Sequence, residues 1–251
     1  MKSLAGRKAL VTGGSRGIGA AAVLLFAEWG THVAFGFRER ADDANHVAER
    51  ARALGVNAFA IRSDISRRDG AEQLVTDAAQ KLGGLDYFIG NAGIWIPNDV
   101  ALAQMSDEQW QRTMRENVDS IFFTTRAAAK VLSDHGRVVL VASTAGQRGE
   151  AYHADYAASK GAMISFVKSL CIELAGRDIT VNAVAPGWVD TEMAAQPYAG
   201  GGRGRIAAGI PIGRVADARD IAGPIVFLCS SLARHITGEI VNVNGGSVLC
   251  G

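Results

Sequence analysis

The chain has 251 residues, with 26 Lys or Arg against 25 Asp or Glu and a formal net charge of +1; such a balance offers no basic face for a phosphate backbone and argues against nucleic acid as a partner. Hydrophobic residues make up 48% and charged residues 20%, which supplies a substantial core and excludes a disordered chain. The longest uncharged, mainly apolar stretch, residues 17–27, is too short to span a bilayer, which argues against a membrane role.

The opening MKSLAGRKALVTGG runs into a strand pattern instead of a signal peptide. Cys171, Cys229 and Cys250 have neither disulfide nor metal-ligand spacing. A cytoplasmic protein without a metal is therefore expected.

Strand-like runs at 8–12, 32–35, 58–61, 87–90, 137–142, 180–185 and 240–243 alternate with helical patterns at 18–29, 42–54, 66–82, 106–132, 155–175 and 217–228. Runs such as Val138-Val139-Leu140-Val141 are apolar without alternation, as in a parallel sheet covered on both faces. Ser66, Ser106 with Gln109, and Asp217 read as helix N-caps. No linker or repeat divides the chain. Residues 1–251 thus predict one α/β domain, a Rossmann-type doubly wound parallel sheet of about seven strands with helices on both faces. Segment 196–213 breaks the rhythm with Gly200, Gly201, Gly202, Gly204, Gly209 and Gly213. It reads either as a flexible substrate lid near 190–213 or as a mobile surface loop.

After the first strand comes Thr12-Gly13-Gly14-Ser15-Arg16-Gly17-Ile18-Gly19 and then an apolar helix. Glycines at 13, 17 and 19 permit a tight turn and close approach to a pyrophosphate on the helix N-terminus, although a plain βα turn has the same appearance. The second strand ends Phe35-Gly36-Phe37-Arg38, without the acid that would bind a ribose 2′-hydroxyl. Arg16 and Arg38 suit a 2′-phosphate, so NADP(H) is favoured over NAD(H). Glu39 beside Arg38 weakens that reading, and both arginines also fit a solvated surface.

Tyr156 and Lys160 stand at i and i+4 on one helix face. An ammonium there favours the phenolate and is expected to lower the tyrosine pKa towards a range useful for proton transfer. Ser143 closes the preceding strand, where α/β sheets present groups to ligands.

With these motifs in order, and with Asp64-Ile65, Asn91-Ala92-Gly93, Asn117, Pro186-Gly187, Thr191 and Asn242-Val243-Asn244-Gly245-Gly246, the chain resembles the short-chain dehydrogenase/reductase family over essentially its whole length. The likeness is greatest to the bacterial 3-oxoacyl-[acyl-carrier-protein] reductase type. The resemblance implies an NADPH-dependent ketone reductase in which Tyr156 is the general acid. Lys160 binds the nicotinamide ribose, Ser143 orients the carbonyl, and Asn117 holds a water in a proton relay. It further implies that Gly13, Ser15, Arg16, Gly17, Ile18, Gly19 and Arg38 hold the phosphates. Asp64 and Ile65 flank adenine, Asn91-Ala92-Gly93 packs along the adenosine, and Pro186, Gly187, Val189 and Thr191 surround the nicotinamide. The implied substrate is a ketone or acyl thioester, with acyl carrier protein as a candidate partner. Another secondary alcohol or a non-catalytic NADP sensor are the alternatives.

Two departures stand out. Gly90 replaces a family asparagine, which predicts local loosening. Ser133-Asp134-His135 stands where basic residues often dock a carrier, although Arg126, Lys130 and Arg177 remain. Trp95 and Trp188 either wall the pocket or pack, and His153 with Gln147 and Arg148 either lines its mouth or lies exposed. The helix over 154–174 is apolar around most of its circumference, which predicts burial against another subunit and a homotetramer, or else a capping loop from the same chain.

Overall fold

The computed structural model describes residues 4–249; Cys250 lies outside the described residues. Seven parallel strands form one sheet in the order β3-β2-β1-β4-β5-β6-β7. They are β1 (Lys8–Val11), β2 (His32–Phe37), β3 (Ala58–Arg62), β4 (Leu85–Gly90), β5 (Leu132–Val141), β6 (Thr180–Pro186) and β7 (Ile240–Val243). Helices α1 (Gly17–Glu28), α2 (Ala41–Ala53), α3 (Arg68–Leu82), α4 (Asp107–Met114), α5 (Ser120–Val131), α6 (Thr144–Arg148), α7 (Ala154–Glu173), α8 (Ala195–Tyr198), α9 (Gly202–Ala208) and α10 (Ala218–Cys229) connect them.

The uninterrupted apolar strands have a direct cause. Val139 and Val141 face one core, with Val23 and Phe26 of α1 and Ile221 and Ile225 of α10. Val138 and Leu140 face the other, with Leu74 of α3, Ile121 of α5, and Met163 and Val167 of α7. Every second residue is buried on each side, so no polar stripe remains. The strand order reverses between β1 and β4, which opens a crevice at the carboxyl ends of the strands, where doubly wound sheets bind ligands.

Several expectations need correction. The pattern over 106–132 is broken by a π-helical turn, Arg115–Asp119, between α4 and α5. Ser66 does not cap α3, which begins after Arg67; its hydroxyl donates to Asp64 Oδ1 at 2.7 Å instead. Ser106 accepts from the Gln109 N–H at 3.2 Å as expected, but the Gln109 amide reaches Asp155 and not back to the cap. Asp217 forms a full capping box with Asp220. Segment 196–213 holds the short helices α8 and α9 and is no structureless connection. Gly90 brings no loosening: a Cβ there would stand 2.6 Å from Leu140 Cδ2 and 2.9 Å from Ile121 Cδ1, so neighbouring side chains already fill the space.

Candidate active site

A cavity of about 690 Å³ opens at the carboxyl ends of the strands. Of the residues singled out from the sequence, Gly13, Ser15, Arg16, Gly17, Ile18, Arg38, Asp64, Ile65, Asn91, Ala92, Gly93, Ser143, Tyr156, Lys160, Pro186, Gly187, Val189 and Thr191 line it. Gly19 and Asn117 do not.

Gly19 acts through the turn. A Cβ at this position would lie 2.1 Å from the Gly13 carbonyl oxygen and 2.6 Å from Asn91 Nδ2, so only glycine lets α1 start this close to β1. Gly13 itself takes φ +68°. The turn is tied to the end of β4: Thr12 Oγ1 accepts from the N–H groups of Asn91 (2.9 Å) and Ala92 (3.0 Å), and Asn91 Nδ2 donates to the Thr12 carbonyl at 2.9 Å. The N-cap Arg16 makes no side-chain cap. The N–H groups of the first turn, beside the cavity that Gly17 and Ile18 line, therefore have no side-chain acceptor. An open helix N-terminus behind a glycine cradle fits the pyrophosphate of a dinucleotide.

Three arginines border this end, one more than the sequence reading named. Arg38 Nη1 donates to both Glu116 carboxylate oxygens at 2.8 and 3.0 Å and stands 3.4 Å from Glu39. Arg16 pairs with Glu192 at 2.5 Å, and Arg40 pairs with the same carboxylate at 3.0 Å and with Asp43 at 2.6 Å. The guanidinium groups are thus gathered by side-chain carboxylates at the place where a 2′-phosphate is expected, and the donor set fits that group. Arg40 was within reach of the sequence, two positions past Arg38. Glu116 and Glu192 were not, since each meets its arginine only through tertiary folding. Asp64 Oδ1 accepts from the Ser66 N–H and hydroxyl at 3.1 and 2.7 Å.

Asn117 is fully buried inside the π turn. Its Oδ1 accepts from the Ile94 N–H at 2.7 Å, and its Nδ2 donates to the Ile94 carbonyl (2.9 Å) and Ser159 Oγ (3.0 Å). The side-chain amide is therefore taken up by protein groups. Its evident task is to fasten the strand exit at Ile94 to α7.

Ser143 follows β5 and caps α6, accepting from the Ala145 N–H at 3.1 Å. Tyr156 and Lys160 converge from α7 on the same cavity wall. Here burial works against the expected lowering of the phenol. Burial pushes the Tyr156 phenol up to about 12, against a hydrogen bond with Ser143 that pulls it down, and the charge of Glu150 adds to the rise. Lys160 Nζ donates to the Val141 carbonyl at 2.8 Å and stands 5.7 Å from the tyrosine ring centroid, while burial pushes its ammonium down to about 8. Burial thus shifts both groups towards their neutral forms.

Trp95 and Trp188 both line the cavity, edge to face at 6.0 Å. Arg148 lines it as expected. His153 is buried against Trp95 at 4.9 Å with Nε2 3.3 Å from Asp99, and Gln147 turns away to donate to Asn242 at 2.7 Å; neither forms the mouth. Glu150, also in the lining, was missed by the sequence reading. Among the described residues no three His, Cys, Asp or Glu side chains converge as a metal site, and no helix is long and apolar enough to cross a membrane.

A family model described as enoyl-(acyl carrier protein) reductase matches residues 13–247. A protein of Vibrio cholerae named 3-oxoacyl-[acyl-carrier-protein] reductase FabG is 37% identical over 246 residues, 97% of this chain and 98% of that protein. Among solved structures, a short-chain dehydrogenase/reductase of Serratia marcescens superposes with a TM-score of 0.92 at 35% identity, over 98% of this chain and 99% of that one. A short chain dehydrogenase of Burkholderia cenocepacia in complex with NADP gives 0.91 at 34% identity, over 98% and 99% of the two chains.

Proposed function

The chain belongs to the short-chain dehydrogenase/reductase family, and on that premise we propose that it is an NADPH-dependent reductase that converts the ketone of a 3-oxoacyl thioester to a secondary alcohol. The observation that carries the reading is the convergence of Ser143, Tyr156 and Lys160 on one cavity whose other side is a glycine cradle flanked by Arg16, Arg38 and Arg40. The reductase name of the Vibrio cholerae relative and the NADP in the Burkholderia structure support it. The whole chain acts as a single NAD(P)-binding domain, with the segment near 190–213 as its lid.

Gly13, Gly17 and Ile18 would hold the pyrophosphate, Arg16 and Arg38 the 2′-phosphate, Asp64 and Ile65 the adenine, Asn91-Ala92-Gly93 the adenosine side, and Val189 and Thr191 the nicotinamide carboxamide. When bound, the nicotinamide supplies hydride to the carbonyl carbon. Ser143 donates a hydrogen bond to the carbonyl oxygen and orients it. Tyr156, kept protonated by burial, gives its phenolic proton to the developing alkoxide. Lys160 stabilises the phenolate left behind and positions the ribose. Gly93 stands beside Lys160: a Cβ there would press on Asn117 Oδ1 at 3.1 Å and touch Lys160 Nζ at 3.5 Å.

A second reading, a thioester or other ketone presented without a carrier protein, is favoured by one observation. Arg126 is engaged by Glu72 at 3.2 Å and Arg177 by Asp134 at 2.9 Å, which reduces the charge free to dock an acidic carrier. The outward residues of α7, Ala158, Ala162, Ser165 and the 76% exposed Ile172, support pairing of this helix with a second copy in a homotetramer, and the cytoplasm is the proposed compartment. Initial rates with acetoacetyl-CoA and NADPH or NADH test the activity. Turnover with NADPH well above NADH is expected; NADPH binding without turnover of any ketone would overturn it in favour of a sensor.

A further inference from the structure

The carboxylates around the cofactor cradle are engaged: Glu116 by Arg38, Glu192 by Arg16 and Arg40, and Asp64 by Ser66. Glu150 differs. It lines the same cavity, half-buried, together with Trp95, Trp188, Ile206 and Ile210. Among the described residues its carboxylate has no hydrogen bond and no ion pair; only its main-chain carbonyl is used, by the His153 N–H at 3.2 Å. Withdrawal from water raises its carboxyl above the ordinary value, and its charge reaches the Tyr156 phenol. The charged groups around it are Arg148 at the exposed rim, His153 packed on Trp95, and Asp99, which His153 already engages.

We infer that Glu150 is a specificity-determining residue that selects ketones whose flanking group is neutral or hydrogen-bond-donating, such as an ester, thioester or amide, and rejects free 3-oxo acids. The inference rests on the reductase reading of this cavity. A ketone held at Tyr156 places its flanking group in the cavity that Trp95, Trp188, Ile206 and Ile210 share with Glu150, where a second carboxylate would meet the charge of Glu150. Like charges in a partly desolvated site repel more than in water. An amide N–H or a hydroxyl finds in Glu150 an acceptor with nothing else to satisfy. Rejection through an unpaired charge discriminates more sharply than an added methylene does.

The experiment compares acetoacetate with ethyl acetoacetate, two ketones that differ in this charge. Dissociation constants for each are read from tryptophan fluorescence of the enzyme loaded with NADP⁺, which cannot reduce the ketone, and kcat/KM from NADPH absorbance, for wild type, Glu150→Gln and Glu150→Ser. Wild type is expected to favour the ester by at least about tenfold, and both variants to shrink that ratio by about tenfold. Wild type binding the acid as well as the ester, with Arg148 prevailing, overturns the inference. So does an unchanged ratio in both variants. Because binding is read separately, a shifted binding ratio without turnover upholds Glu150 and refutes the reductase reading, whereas turnover with an unchanged ratio does the reverse.

Discussion

The Lys160 ammonium donates to the carbonyl oxygen of Val141 at 2.8 Å, so the charge nearest Tyr156 is fastened to the end of β5. Burial of this ammonium has a consequence for stability. Its folded value of about 8 lies below the ordinary 10.5, so between these the unfolded chain holds more protons and stability rises with pH. Lys160→Met removes that dependence along with the two contacts of Nζ, to Val141 and to Met163 Sδ; the contact loss does not vary with pH. Urea unfolding of both proteins at about pH 7 and about pH 9.5 is expected to show wild type gaining about 2 kcal/mol on the variant as pH rises. A constant difference would mean that Lys160 is not charged and desolvated as described.

Tyr156→Phe removes the proton donor and leaves the ring. The rate of ketone reduction is expected to fall by about 10²- to 10⁴-fold, while the dissociation constant for NADPH changes by less than about threefold, because the phenol is not part of the phosphate cradle. Stopped-flow reduction and fluorescence titration separate the two. Unchanged turnover would remove Tyr156 from the proton transfer.

The fold was legible in the sequence because its cause is simple: residues 138–141 alternate between two cores, both apolar, so strand runs stand out from amphipathic helices. The lining of the cavity was legible for the same positional reason, as loops after parallel strands converge. What escaped was set by single tertiary contacts. Helical periodicity continues through 115–119, and the π turn is visible only once Asn117 is seen to bond the Ile94 backbone. The i, i+4 spacing of Tyr156 and Lys160 correctly put both in one wall. It was silent on the Val141 carbonyl that takes the ammonium, and on the burial that raises the phenol.

Arg38 is the arginine whose carboxylate partner, Glu116, is itself half-buried at the cavity edge, with 16% of its side chain exposed. Arg38→Asp places two acids where the 2′-phosphate is expected. The KM for NADPH should rise by about tenfold or more and that for NADH by less than about threefold. Equal effects on both cofactors would show that Arg38 does not meet the 2′-phosphate.

Gly90→Ala inserts a methyl group 2.6 Å from Leu140 Cδ2 and 2.9 Å from Ile121 Cδ1. Both neighbours are fully buried or nearly so, so the strand or the side chains must shift. Overpacking of this kind costs about 1–3 kcal/mol, which in a chain of this size lowers Tm by roughly 2–10 °C. Scanning calorimetry measures it; a Tm equal to wild type would mean that the core around β4 is looser than described.

Asn117→Ala removes three hydrogen bonds at once, from the Ile94 N–H and to the Ile94 carbonyl and Ser159 Oγ. The Ile94 groups then lose their partners next to the cavity that Ile94 lines, at about 1 kcal/mol or more for each bond. Chemical unfolding is expected to show a loss of about 2–4 kcal/mol. Asn117→Asp distinguishes a structural loss from a catalytic one. A carboxylate still accepts from the Ile94 N–H but cannot donate to the Ile94 carbonyl or to Ser159, and it brings a negative charge towards Lys160. That charge holds the ammonium protonated to higher pH. The alkaline limb of a kcat profile governed by Lys160 should therefore move upward in Asn117→Asp relative to wild type. If that limb stays in place while stability falls in both variants, Asn117 serves the fold alone and has no electrostatic reach to Lys160.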